Sequence, residues 1–191
     1  MKRFASFASL LVLAAPFAMA QTSTWVADPM HSEVDFTVSH LTISNVHGRF
    51  GKVDATLVYD GADVTKSTVK ATIDVSSVQT GEDGRDKHLK TPDFFDTATY
   101  PTATFVSSSV SKSSTGLLVN GTLTLHGVTK PVTLTVTGPT GPVPGMDKKL
   151  HAGFTATTTI SRSAFGIGTK FPSGMVGDDV KLEIDLDVAK Q

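Results

Sequence analysis

The chain contains no cysteine. Disulfide staples, thiolate nucleophiles and Cys-based metal sites are therefore excluded, and the fold must hold itself together through its core. Tryptophan occurs once, tyrosine twice, and aromatic residues make up 7% of the chain. An interior drawn from that stock is a light one. Charge of a single sign is also missing, since 17 Lys and Arg stand against 18 Asp and Glu. Such a balance lacks the basic footprint of a nucleic-acid or anionic-membrane binder, so no nucleic-acid partner is expected. Catalytic signatures are absent as well. There is no G-x-S-x-G elbow, no Gly-rich loop opening a helix, no H-E-x-x-H, and no two of the six histidines sit at close motif spacing. No cofactor, no metal site and no catalytic residue are expected.

Long apolar runs are confined to the start, "MKRFASFASLLVLAAPFAMA". Lys2 and Arg3 make a basic beginning, an apolar stretch centres on Leu10 to Ala15, and Ala18-Met19-Ala20 supplies a small-x-small cleavage pattern. The run is too short for ~30 Å of hydrocarbon. We read residues 1–20 as a cleavable signal peptide and residues 21–191 as one exported domain without membrane insertion. Loss of Lys2 and Arg3 takes the formal charge from −1 to −3. A chain of roughly 170 residues is long enough to bury a core without disulfides.

What the domain does have is alternation. "EVDFTVSH" sets Val34, Phe36 and Val38 against Asp35, Thr37 and Ser39, and "VKATIDV" sets Val69, Ala71, Ile73 and Val75 against Lys70, Thr72 and Asp74. "VDATLVYD", "GLLVNGTLTL", "PVTLTVTG" and "HAGFTATTTISR" continue the pattern, and "VKLEIDLDV" is its clearest case. A strict period of two means strands with one dry face and one wet face, which is the mark of antiparallel sheets. Turn residues separate the runs at Asp60-Gly61, at His126-Gly127, and in "GPTGPVPG", a Pro/Gly loop that we expect to lie outside any central strand. Seven to nine short strands predict an all-β barrel or sandwich. The inward set is mostly Val, Ala, Leu and Ile, which leaves room for an apolar guest in an eight-stranded barrel.

The one charged patch is "GRDKHLKTPDFFD", Gly84 to Asp96, and the segment from Gly84 to Ala98 is expected to hold the single helical piece, with a turn of helix beginning after Pro92. Arg85 and His88, with Lys87 or Lys90, have the chemistry to meet a phosphate or polar head group, and Arg85, Asp86 and His88 that of an acid/base cluster. The plain structural alternative is a lid in which Arg85 and Asp86 tie the loop while Leu89, Phe94 and Phe95 plug one end. Arg162 falls on the inward face by parity. A buried arginine needs a partner, and Asp28, Asp86 or a ligand anion are the candidates. His31 and His40 read as turn and strand-end residues.

The stretches "WVADPMHSEVDFTVSHLTISNVHGRF", "VKATIDVSSVQTGEDGRDKHLKTPDFFDTATYPTATF", "VNGTLTLHGVTKPVTLTV" and "FTATTTISRSAFGIGTKFPSGMVGDDVKLEIDLDV" resemble the YceI-like family of exported polyisoprenoid-binding proteins. The resemblance implies an antiparallel, lipocalin-like β-barrel of about eight strands with one short helix and an apolar interior cavity. It implies a periplasmic, non-enzymatic protein that holds an isoprenoid or other long-chain amphiphile, such as a quinone, a prenyl phosphate or a fatty amphiphile. Transport, storage and sequestration all remain open, as does a homodimer. The expected cavity lining is Val34, Phe36, Val38, Ile73, Phe105, Phe154 and Ile160. The expected lid and head-group residues are Arg85, His88, Phe94, Phe95 and Arg162. Two rival readings are a filled-barrel interaction module and an enzyme acting on a prenyl lipid through His88 and Asp86.

Overall fold

In the computed structural model, the described residues are 22–191; the signal peptide expected over residues 1–20 lies outside them. The alternating runs become eleven strands: β1 Thr22–Ala27, β2 Glu33–His40, β3 Ser44–Phe50, β4 Val53–Asp60, β5 Thr68–Asp74, β6 Val78–Gln79, β7 Thr102–Ser113, β8 Gly116–Leu125, β9 Val128–Pro144, β10 Leu150–Ser161 and β11 Val176–Lys190. Among the described residues a single α-helix, α1, spans Asp83–Leu89. Going round the wall, the order β1-β4-β5-β7-β8-β9-β10-β11 closes on itself where β11 pairs with β1, and every pairing is antiparallel. The result is a closed eight-stranded barrel. β1 and β2 are two halves of one bent strand, and β3 and β4 are the halves of its partner, so β2, β3 and β6 continue the wall beyond β1 and β4.

Closure follows from the pattern. β11 is long enough to pair with β1 at one end, through Ala27↔Val188, and with β2 at the other, through Val34↔Ile184. Its odd face carries water-facing Lys181, Glu183, Asp185 and Asp187; its even face feeds the interior. Closure of the eight strands removes their edges, leaving the short β6 as the edge of the β2–β3 extension. Between β8 and β9 the chain reverses at His126 (φ 52°) and Gly127 (φ 73°), a two-residue hairpin loop of the kind that needs both central residues left-handed. A Cβ on Gly127 would come within 2.7 Å of the Tyr100 ring.

Two expectations are corrected. The helix starts earlier than Pro92: Glu82 caps it, its carboxylate accepting from the N–H groups of Gly84 and Arg85, while Pro92 to Phe95 forms turns. The capping oxygens satisfy donors that a helix start leaves orphaned. The Pro/Gly segment is part of β9 and not a loop. It is tolerated there because residues 138–144 pair only with β10, while the segment holding Pro131 pairs only with β8. A proline has no ladder N–H to lose on the unpaired side.

The helix end of the barrel is closed by α1, the turns after it, and the loop from Arg162 to Met175. These deliver Leu89, Phe94, Phe95, Phe165 and Ile167 to the main core cluster. The opposite end is bordered by the β7–β8 and β9–β10 hairpins and by a 3-10 turn at Val64–Lys66.

Candidate functional site: an apolar cavity in two compartments

The barrel interior is not filled. A cavity of about 160 Å³ occupies the hairpin end, walled by residues such as Leu57, Val69, Phe105, Leu134, Phe154 and Leu186. A second, of about 140 Å³, lies under the lid and is walled by Phe36, Val38, Phe50, Phe94, Phe95 and Ile160 among others. Val34, Ile73, Leu123 and Leu182 line both, so the two compartments meet at a waist of four aliphatic side chains. Polar residues on the lining are few, chiefly Tyr59, Ser67, Thr68 and Thr158 in the first compartment and Arg162 in the second. The cause is compositional. Val and Ala face inward at many positions where an aromatic ring would reach the barrel axis, and an interior of eight strands is then left partly open.

All seven residues expected on the lining are there: Val34 and Ile73 at the waist, Phe105 and Phe154 in the larger compartment, Phe36, Val38 and Ile160 in the smaller. The sequence reading missed Leu117, Val132, Leu134 and Leu123, although strand parity alone placed them inward. It also missed Ile167, which sits outside the strands with no periodicity to mark it.

The lid sorts its residues into two groups. Leu89, Phe94 and Phe95 touch the second compartment. Phe95 meets Phe50 edge-on at 5.5 Å, and Phe94 stacks on Phe171 at 4.9 Å. Arg85 and His88 are not on the lining. Arg85 donates from Nε to Thr80 Oγ1 (2.7 Å) and from a terminal nitrogen to the Thr80 carbonyl (2.9 Å), while Asp86 accepts from the N–H and hydroxyl of the same threonine. Both residues thus anchor α1 to Thr80, just past the end of β6. His88 lies against the edge of Phe94 and faces Asp93 at 3.3 Å. Asp93 is ion-paired with Lys170, and the Lys170 and His88 hydrogen bonds hold its carboxyl below the usual range. His88 and Asp86 therefore serve separate partners, with no hydrogen bond between them.

Arg162 corrects an expectation. It is buried, 5% exposed, and neither Asp28 nor Asp86 is its partner. Its guanidinium donates to five backbone carbonyls: Nε to Gly177 (3.0 Å), one terminal nitrogen to Ile167 (3.0 Å) and Gly168 (2.6 Å), the other to Phe171 and Val176 (2.7 Å each). The five donors of the fork are all used. Arg162 borders the cavity, yet has no donor left for a head group. It is the hub that shapes the loop carrying Ile167 and Phe171. Next to it, Asp178 accepts from Ser161 Oγ (2.5 Å) and the Ser163 N–H (3.0 Å), and the Ser161 bond leads the causes that lower its carboxyl pKa.

Among the described residues, no helix is long and apolar enough to cross a membrane.

With this geometry in view, the comparisons with known proteins are specific. The model of the YceI-like domain matches residues 25–188. Protein YceI of Escherichia coli is 38% identical over 188 residues, covering 97% of this chain and 95% of that protein. A UPF0312 protein of Shewanella denitrificans is 39% identical over 165 residues, covering 84% and 83% respectively. Among solved structures, BcnA of Burkholderia cenocepacia superposes with a TM-score of 0.71 at 30% identity, over 84% of this chain and 98% of that one. A polyisoprenoid-binding domain from Saccharophagus degradans, described as implicated in plant cell wall breakdown, shares the fold at a TM-score of 0.65 and 19% identity, over 90% of this chain and all of that one.

Proposed function

The chain belongs to the YceI-like family, and from that premise we propose that it is an exported, periplasmic carrier that holds an isoprenoid or other long-chain amphiphilic lipid in its two-compartment cavity. The single observation that carries the reading is the cavity itself: two apolar chambers joined at an aliphatic waist, inside a closed barrel. The shape suits one long flexible tail better than a compact polar substrate. That the Saccharophagus barrel is named for polyisoprenoid binding supports the same ligand class.

The energetics favour a tail-driven mode. Burying a carbon of the chain is worth ~0.8 kcal/mol, hence about 4 kcal/mol per five-carbon isoprene unit. Association costs on the order of 4–15 kcal/mol in lost freedom and ordering. About four units therefore clear even the upper cost without any polar contact. Phe94 and Phe95 touch the tail, and Arg85 and His88, on the outer side of the lid, meet the head group where it leaves the barrel. Quinones, prenyl phosphates and fatty amphiphiles are the ligand classes to offer. The protein binds and does not turn over its lipid; Asp86 and His88, engaged with Thr80 and Asp93, are lid residues.

The deciding experiment is native mass spectrometry on protein purified from periplasm without detergent, with organic extraction of what it carries. The expected result is a stoichiometric long-chain amphiphile. A protein that is bare, and stays bare when offered all three classes, refutes the reading and favours an interaction module acting through its outer face.

A further inference from the structure

We propose that Asp28, His31 and Asp187 form a binding site for a divalent first-row transition ion on the outer wall of the barrel, separate from the lipid cavity. The three side chains come from opposite ends of the sequence, which is why spacing could not reveal them: Asp28 and His31 lie in the turn between β1 and β2, Asp187 near the end of β11. Their ligand atoms all lie within 4.8 Å of one another, and the His31 Nδ1 is 2.9 Å from Asp28 Oδ2. An ion bound at about 2.0–2.2 Å from nitrogen and oxygen holds its donors a little over 3 Å apart. Closing to that spacing around an ion takes movement of the side chains, and His31 is exposed.

The backbone beneath the site is already in place. Asp28 N–H donates to the Asp187 carbonyl (2.7 Å), and Ser32 Oγ both donates to that carbonyl and accepts from the Asp187 N–H (3.2 Å each). His151 positions the third ligand. Its Nδ1 is 2.6 Å from one oxygen of Asp187, leaving the other for the ion, and its Nε2 is 3.1 Å from Asp147. One imidazole with two carboxylates, in a chain without thiolates, selects a borderline ion such as Zn²⁺ over the hard Mg²⁺ and Ca²⁺. The ion would tie the β1–β2 corner to β11 at the seam that closes the barrel, where β1 and β11 share only three residue pairs.

The test is calorimetric titration of tag-free, chelator-stripped full-length protein with ZnCl₂ and, separately, MgCl₂, with melting curves alongside. One Zn²⁺ per chain and a rise in melting temperature are expected with ZnCl₂ only. His31→Ala and Asp28→Asn each weaken Zn²⁺ tenfold or more, and His47→Ala and His88→Ala leave it unchanged. His151→Ala weakens it about 10–100-fold, and His151→Asn, whose amide donates from the place of Nδ1, restores it. His31 is exposed, so its variant folds and keeps the test decisive. Zn²⁺ affinity undiminished in His31→Ala, no stronger than for Mg²⁺, or absent altogether overturns the proposal.

Discussion

Replacing Arg162 by alanine removes five hydrogen bonds from a cation at once, and the expected cost can be worked from the structure. Bonds to charged groups are worth about 1.5–3 kcal/mol each, which for five gives a gross figure near 10 kcal/mol. Two terms reduce it. Burying the guanidinium costs several kcal/mol of desolvation that the variant no longer bears. The freed carbonyls of Phe171, Val176 and Gly177 also belong to partly exposed residues, where water can reach them once the segment relaxes. A net loss of about 3–5 kcal/mol is expected, at the upper end of what a single substitution costs when it breaks a buried hydrogen-bond network. That is a large share of the 5–15 kcal/mol that holds a typical domain together. At roughly 2–4 °C per kcal/mol for a domain of this size, the melting temperature falls by about 6–20 °C. Arg162→Lys keeps a cation but offers three donors in place of five, and should recover about half of the loss. Urea denaturation followed by circular dichroism measures both variants. The reasoning is refuted if Arg162→Ala costs less than about 1 kcal/mol, or if lysine is as good as arginine. If Arg162 instead served a head group, its loss would weaken lipid binding while leaving the melting temperature of the lipid-free protein where it was.

Other perturbations separate the parts of the site. Leu123→Trp fills the waist, so short tails should still bind and long ones should not; a competition series over tail length reads this out, and uniform weakening would mean the compartments are not used in series. Ile73→Lys places a charge at the same waist and should abolish uptake in a protein whose circular dichroism is unchanged; normal uptake would mean the tail lies elsewhere. Phe94→Ala removes the stacking on Phe171 and should speed lipid release several-fold in a stopped-flow transfer assay, with an unchanged rate arguing against the lid. Asp178 gives a pH prediction. Its carboxyl pKa is lowered from 3.8 in the folded state, so its contribution is complete above that value and is lost as the pH falls through the lower, folded value. Asp178→Asn should therefore melt below the parent at neutral pH and converge with it in acid; a gap that persists to low pH contradicts the assignment.

The site was legible to different depths. Val34, Phe36, Val38, Ile73 and Phe154 were recoverable because strand parity is a local property, carried by neighbours two residues apart. Arg162 was recognised as buried by the same parity, but its partners were not. They are carbonyls of the following loop and of the start of β11, up to fifteen residues further on, and a carbonyl has no signature in the alphabet of side chains. The helix start was misplaced because a proline was given more weight than the capping geometry of Glu82. The acidic and imidazole groups around Asp187 stayed hidden for a third reason: their separation along the chain exceeds any motif window.

Taken by itself, the sequence determines the class of this protein: antiparallel strands with one dry face, a light interior, one lid, no cysteine chemistry and a recognisable family. Period and composition settle these because each depends on residues close in the chain. Only the tertiary structure decides that the barrel closes at β1 and β11, that the cavity is divided at Val34, Ile73, Leu123 and Leu182, and that Asp28, His31 and Asp187 meet. Those are relations among residues far apart in the chain, set by strand register, and register depends on how the whole wall pairs.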